Sequence, residues 1–315
     1  MTNKTILIGP TGFLGPAFIK MDPSIVAVGR SALPSDLSNE FVEIGSDLDF
    51  SPLDNVNFEN VIFLIGSSDH KILNAHPTMA LEKNVLALSS FLTYLKNSGR
   101  KVNKVINFTT MLQYDSSKMI IPCDEAQPRN PSVNNYVMSK YVSELITAQH
   151  RDSFPIIDVR ISNVYGPTSL YRPDIVPSLI WQLLETGEGS VWNMSPKRDF
   201  IFVEDLVEGL IRCAAFGKPG ENYNLGSGAE TTISDLAEKI VKLSASKSKL
   251  ELLDGTRPWD KSGRRFASTE KSAAQIGFLA QTGISHGLAS TIDWARINKS
   301  RISSSIQKHL GSHSD

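Results

Sequence analysis

Cysteine is nearly missing: 315 residues contain only Cys123 and Cys213. So distant a pair makes no CxxC redox or zinc motif, so no disulfide framework is expected and no metal site is assigned. Long hydrophobic runs are missing as well. No apolar stretch approaches the roughly 20 residues of a membrane span, and Met1-Thr2-Asn3-Lys4-Thr5 runs directly into a strand-like segment, so a cytoplasmic protein without a membrane partner is expected. Neither sign of charge dominates, since 32 Lys and Arg face 33 Asp and Glu. That balance lacks the basic footprint of a nucleic-acid binder and the polybasic patch of a membrane-surface protein. What remains, 41% apolar and 21% charged residues, is the composition of an ordinary globule,. The length suits one large domain or two joined ones.

Short apolar runs at Lys4–Ile8, Ile25–Val28, Phe41–Ile44, Val61–Ile65, Lys104–Phe108 and Ile156–Ile161 read as strands,. Segments of helical spacing separate them, among them Met79–Leu95 and Tyr136–His150,. That alternation means an α/β fold, a doubly wound parallel sheet of Rossmann type covered on both faces. After residue 166 prolines punctuate the chain, and helices are expected over Val203–Ala215, Ser234–Leu243 and Gly287–Ile297,. The reading is a dinucleotide-binding domain over 1–166, also receiving about 197–214, and a smaller C-terminal α/β substrate domain over 167–315. The polar tail from about 299 is expected to fray.

Gly9-Pro10-Thr11-Gly12-Phe13-Leu14-Gly15 follows the first strand and opens a helix. Three positions without side chains sit where a backbone must turn tightly and admit a pyrophosphate, so Gly9, Thr11, Gly12, Phe13, Leu14 and Gly15 are assigned to cofactor binding. About 20 residues on, an acid would select NAD and an arginine would accept the NADP phosphate. The second strand here ends Ala27-Val28-Gly29-Arg30-Ser31. Arg30 offers a permanently charged planar fork and Ser31 a further donor, so NADP(H) is favoured, with NAD(H) the alternative. Asp47 and Leu48, after the third strand, are assigned to the adenine end of the same ligand.

Tyr136-Val137-Met138-Ser139-Lys140 sets a phenol and an ammonium on one helix face,. A free tyrosine titrates near pH 10, and a neighbouring cation favours the phenolate, which suits Tyr136 to general acid/base work. Thr109-Thr110 ends the preceding strand, on the sheet edge where ligands collect. With these residues in hand, the chain resembles the extended short-chain dehydrogenase/reductases of the nucleotide-sugar epimerase/dehydratase family over nearly its whole length. The resemblance rests on the glycine turn, Asn84-Val85-Leu86-Ala87-Leu88, Asn107-Phe108-Thr109-Thr110 with Tyr114 following, and the Tyr136/Lys140 pair. It implies that Tyr136 exchanges a proton with a sugar oxygen, Lys140 holds the nicotinamide ribose, Thr110 donates to the same oxygen and Asn84 supports the proton path.

Arg160-Ile161-Ser162-Asn163-Val164-Tyr165-Gly166-Pro167 resembles the family's RxxNVYGP segment, and Arg198-Asp199-Phe200-Ile201-Phe202-Val203-Glu204-Asp205 its RDFxxVxD segment. Tyr223–Gly228 resembles its NxG(S)G turn and Arg257-Pro258 a later phosphate-clamping arginine. The implied substrate is a nucleoside diphosphate sugar, held by Asn163, Arg198 and Arg257. The Asp-Glu pair of the family's dehydratases is replaced by Met111-Leu112, which cannot do acid/base work, and 4,6-dehydration is set aside,. The leading expectation is NADPH-dependent reduction of a keto sugar at carbon 4. The alternatives are a carbon-4 epimerase with tightly bound NAD and a non-catalytic dinucleotide sensor. By the same resemblance a homodimer is expected, with Val142, Leu145, Leu88 and Leu92 available for its helical face.

Overall fold

The computed structural model describes residues 4–35, 37–167, 174–192, 194–244, 249–253 and 263–311. The chain runs β1 (Thr5–Ile8), α1 (Gly15–Met21), β2 (Val26–Gly29), β3 (Phe41–Glu43), β4 (Asn60–Phe63), α2 (His70–Ala75) and α3 (Pro77–Leu81). A π-helical turn over Glu82–Leu86 leads into α4 (Ala87–Ser98), followed by β5 (Lys104–Thr110), α5 (Asn135–His150), β6 (Ile156–Ile161) and β7 (Asn163–Tyr165). Then come α6 (Ile175–Thr186), β8 (Glu188–Trp192), β9 (Lys197–Arg198), β10 (Phe200–Phe202), α7 (Val203–Phe216), β11 (Asn222–Leu225) and β12 (Thr231–Thr232). The chain closes with α8 (Ile233–Leu243), β13 (Lys249–Leu253), β14 (Arg264–Arg265), α9 (Glu270–Ile276), α10 (Ile284–Ile297) and α11 (Lys299–Gly311).

The strands β11-β6-β5-β4-β1-β2-β3 form one seven-stranded sheet, parallel throughout. Their side chains alternate between two apolar layers. Ile6 and Ile8 pack with Phe91 and Leu92 of α4 on one face, while Leu7 packs with Phe18 of α1 and Leu210 of α7 on the other,. Both faces are covered, as a parallel sheet requires. The order winds outward from β1 in both directions, which opens a crevice beyond the carboxyl ends of β1 and β4, the usual ligand position in such sheets.

The seventh strand comes from Asn222–Leu225, so the sheet layer takes in α7 and then a strand beyond the 197–214 segment. Smaller pairings hold the rest: β10 with β7, β13 with β8, and β9 between β12 and β14. Two expectations need correcting. The tail from 299 is not frayed but helical as α11, because Ile302 is buried, Ile306 packs on the core, and Lys299 Nζ donates to Leu184 O at 2.8 Å. Leu88 and Leu92 are not an outward face, since both are buried against the sheet, whereas Leu145 is exposed. Among the described residues, no helix is long and apolar enough to cross a membrane.

Candidate active site

A cavity of about 630 Å³ lies beyond the carboxyl ends of β1, β4 and β5. Gly9, Gly12, Phe13 and Leu14 form one wall, Thr110, Tyr136 and Lys140 another, and Asn163, Arg198 and Arg265 a third.

The turn after β1 depends on two of its glycines. Gly9 adopts φ +96, and a Cβ there would stand 2.9 Å from Ile65 N, so neither the conformation nor the space admits a side chain,. At Gly15 a Cβ would lie 1.8 Å from Pro10 O, which makes this glycine a packing requirement between turn and helix. Gly12 meets nothing closer than 3.6 Å and faces the cavity.

Helix α5 begins where Asn134 Oδ1 accepts a hydrogen bond from Val137 N at 2.9 Å, an N-cap that seats Tyr136 in the first turn and Lys140 one turn on,. Both side chains are more than nine-tenths buried and line the cavity. Lys140 Nζ donates to Phe108 O at 2.9 Å. Burial away from water pushes its pKa down to about 8,. Thr110 ends β5, where its Oγ1 accepts from Leu112 N at 3.2 Å and fixes the following turn.

Asn84 does not line the cavity. From the π-helical turn its Oδ1 accepts from Ser67 N at 2.7 Å, while its Nδ2 donates to Ser67 O at 3.1 Å and to Ser139 Oγ at 3.0 Å. It therefore staples the loop after β4 to α5. A Cβ on Gly66 would meet both Asn84 Oδ1 at 2.6 Å and Lys140 Nζ at 3.2 Å, so the staple and the lysine close on the same point.

On the opposite wall β14 pairs with β9 in parallel, in a register that sets Arg265 beside Arg198. Both are more than nine-tenths buried and both line the cavity. Two arginines lining one pocket are a setting for a polyanion,. Asn163 is held there by donating from Nδ2 and from its backbone N to Asp199 O, each at 3.0 Å. Asp199, next to Arg198, serves the fold: its carboxylate accepts from Ser227 N, Ser227 Oγ, Ser162 Oγ and Ala267 N. Burial nevertheless raises its pKa.

The remaining assigned residues lie elsewhere. Arg30 and Ser31 are exposed just past β2, and Asp47 is exposed, with Oδ1 accepting from Asp49 N at 3.4 Å. Leu48 has φ +63 and packs partly against the core. Thr11 is exposed on the glycine turn. Arg257 lies outside the described residues.

Sequence reasoning passed over Arg265, Trp192 and the Ser67–His70 loop, all of which line the cavity. Arg265 stands on a two-residue strand with no apolar run to announce it. Asp69 had a legible signal: its Oδ1 accepts from Ile72 N at 3.1 Å, capping α2,.

A model of the NAD dependent epimerase/dehydratase family matches residues 6–226. Human dTDP-D-glucose 4,6-dehydratase is 28% identical over 182 residues, covering 56% of this chain and 51% of its own. The chain thus spans about half the length of that relative. A dTDP-4-dehydro-6-deoxy-D-allose reductase of Streptomyces is 27% identical over 228 residues, 70% of this chain and 68% of its own. Among solved structures, the Bordetella bronchiseptica enzyme WbmF in complex with NAD+ superposes with a TM-score of 0.80 at 27% identity, covering 98% of this chain and 97% of that one. WbmF has also been solved with NAD+ and UDP. On these grounds, the chain belongs to the NAD dependent epimerase/dehydratase family.

Proposed function

We propose that this protein is an NADPH-dependent reductase of a keto nucleoside diphosphate sugar, acting at carbon 4. The observation that carries the reading is the shared cavity: the Tyr136/Lys140 pair and Thr110 face a buried pair of arginines across one space. A dinucleotide fits the residues present, because the glycine turn leaves its backbone bare and Lys140 offers an ammonium at the cavity wall. When bound, that group supplies the hydride. Tyr136 gives the proton to the carbonyl oxygen, and Lys140, already oriented by Phe108 O, favours the phenolate left behind,. Thr110 holds the same oxygen. Arg198 and Arg265 bind the diphosphate, Asn163 flanks it, and Trp192 provides an aromatic surface at the cavity edge for the base,. Met111 and Leu112 bring no acid or base beside Thr110, so elimination is not part of the proposal.

Arg30, at a strand end without a carboxylate, supports NADP(H). Reduction is also supported by the reductase likeness that covers 70% of the chain. The second reading, carbon-4 epimerisation with retained NAD, is favoured by the NAD+ complex of WbmF and uses the same side chains. A screen of nucleoside diphosphate sugars and their 4-keto forms with NADPH and NADH, followed by absorbance of the reduced cofactor, separates the two. Stoichiometric NADPH oxidation with a keto sugar is the expected result. Interconversion of sugars without net cofactor consumption would replace reduction by epimerisation.

A further inference from the structure

One aromatic contact in the cavity has no part in the mechanism above. The imidazole of His70 packs against the ring of Tyr136 with centroids 4.4 Å apart and planes at 62°, an edge-on arrangement,. Both residues line the cavity. The contact is built from several directions. Asp69 caps α2 and so fixes His70 at its first position. The loop before it is stapled to α5 through Asn84, which bonds both Ser67 and Ser139. At the far end of α2, Asn135 donates from its backbone N to Asn74 Oδ1 at 3.1 Å and from Nδ2 to Asn74 O at 3.0 Å. The short helix is therefore fastened at both ends to the helix that carries Tyr136, and its one aromatic residue is set on the phenol ring.

We propose that His70 is a positioning residue for Tyr136, its ring forming a seat that holds the phenol in the rotamer from which the hydroxyl reaches a bound sugar. The inference rests on the reductase reading for its kinetic consequence, but the seat itself does not. A tyrosine has two side-chain torsions; Tyr136 is clustered with Leu73 of the same short helix and with Ala80, and His70 meets its ring edge-on, so loss of the imidazole removes one of the surfaces that fix the direction of the hydroxyl. Small misplacements of a reacting group are costly in rate while leaving binding intact.

The test compares His70→Ala, which removes the seat, with His70→Phe, which keeps an aromatic ring there. Expected for His70→Ala is a fall in kcat of about tenfold, with the sugar KM and the NADPH Kd unchanged, and recovery of most of that loss in His70→Phe. A readout free of turnover is the ring resonance of Tyr136, assigned by its disappearance in Tyr136→Phe. It should shift and broaden in His70→Ala and return toward the wild-type position in His70→Phe. If the wild-type protein turns over no nucleotide sugar, the reductase reading fails, while the resonance still decides the seat. A Tyr136 resonance and a kcat both unmoved by His70→Ala would overturn the proposal, and so would a His70→Phe protein as impaired as His70→Ala.

Discussion

Lys140 and Glu144 stand one turn apart on α5, both nearly sealed from water, and the fold treats them in opposite ways. Glu144 is saturated. Its carboxylate receives Arg160 Nε at 3.0 Å and Nη2 at 2.7 Å, Arg129 Nη1 at 2.7 Å, Thr109 Oγ1 at 2.8 Å and the amide of Gln113. Burial would raise its pKa, but these partners, Arg160 first, outweigh it and hold the group below the usual carboxylate range. Lys140 has a backbone carbonyl to donate to and a pKa pushed down to about 8 by burial. A charge surrounded by partners is spent on holding α5 to β5 and β6. Among the described residues no carboxylate pairs with this buried ammonium, and such burial of a charge is costly to the fold,.

The largest effect expected from this contrast follows from breaking the saturated side. Glu144→Ala leaves two arginines facing a buried void and should cost about 3–5 kcal/mol in urea unfolding, well beyond an ordinary surface change. A cost under about 1 kcal/mol would mean that the network is solvated after all. On the other side, Lys140→Met should make the apo protein more stable at neutral pH. With a pKa of about 8 in the fold against an ordinary value of 10.5, the charged amine opposes folding below pH 8 by roughly 3 kcal/mol,. That cost fades as pH rises from 8 to 10.5, because over that window the folded lysine is already neutral while the unfolded chain still holds its proton,. The stability difference between wild type and Lys140→Met should therefore shrink over that window, and a flat difference would contradict the desolvated state.

The site could be anticipated wherever chemistry follows local spacing. Tyr136 and Lys140 share a helix face because they are four apart, and Thr110 ends a strand whose apolar run is plain, so all three were legible. Arg265 was not, because its seat opposite Arg198 comes from the pairing of two-residue strands distant in sequence. The hydrogen bonds of Asn84 were hidden for a similar reason: the π-helical turn brings it to a loop 17 residues away. Tail helix α11 was missed because its polar sequence owes its helicity to docking on the core through Ile302 and Ile306,.

Two smaller effects sharpen the comparison between held and waiting charges. Arg265→Met should weaken nucleoside diphosphate binding by about tenfold to a hundredfold in calorimetry while leaving dinucleotide affinity alone, since charge-assisted bonds are worth about 1.5–3 kcal/mol. Arg30→Glu should weaken NADPH about tenfold relative to NADH, and equal losses would remove the NADP(H) preference.

The most direct trial of the account is Tyr136→Phe, assayed for single-turnover hydride transfer from NADPH to a keto nucleoside diphosphate sugar, with binding of both ligands measured in parallel. Turnover should fall by about 10² to 10⁴ with both affinities near wild type. Turnover within a few fold of wild type would show that the proton comes from another group.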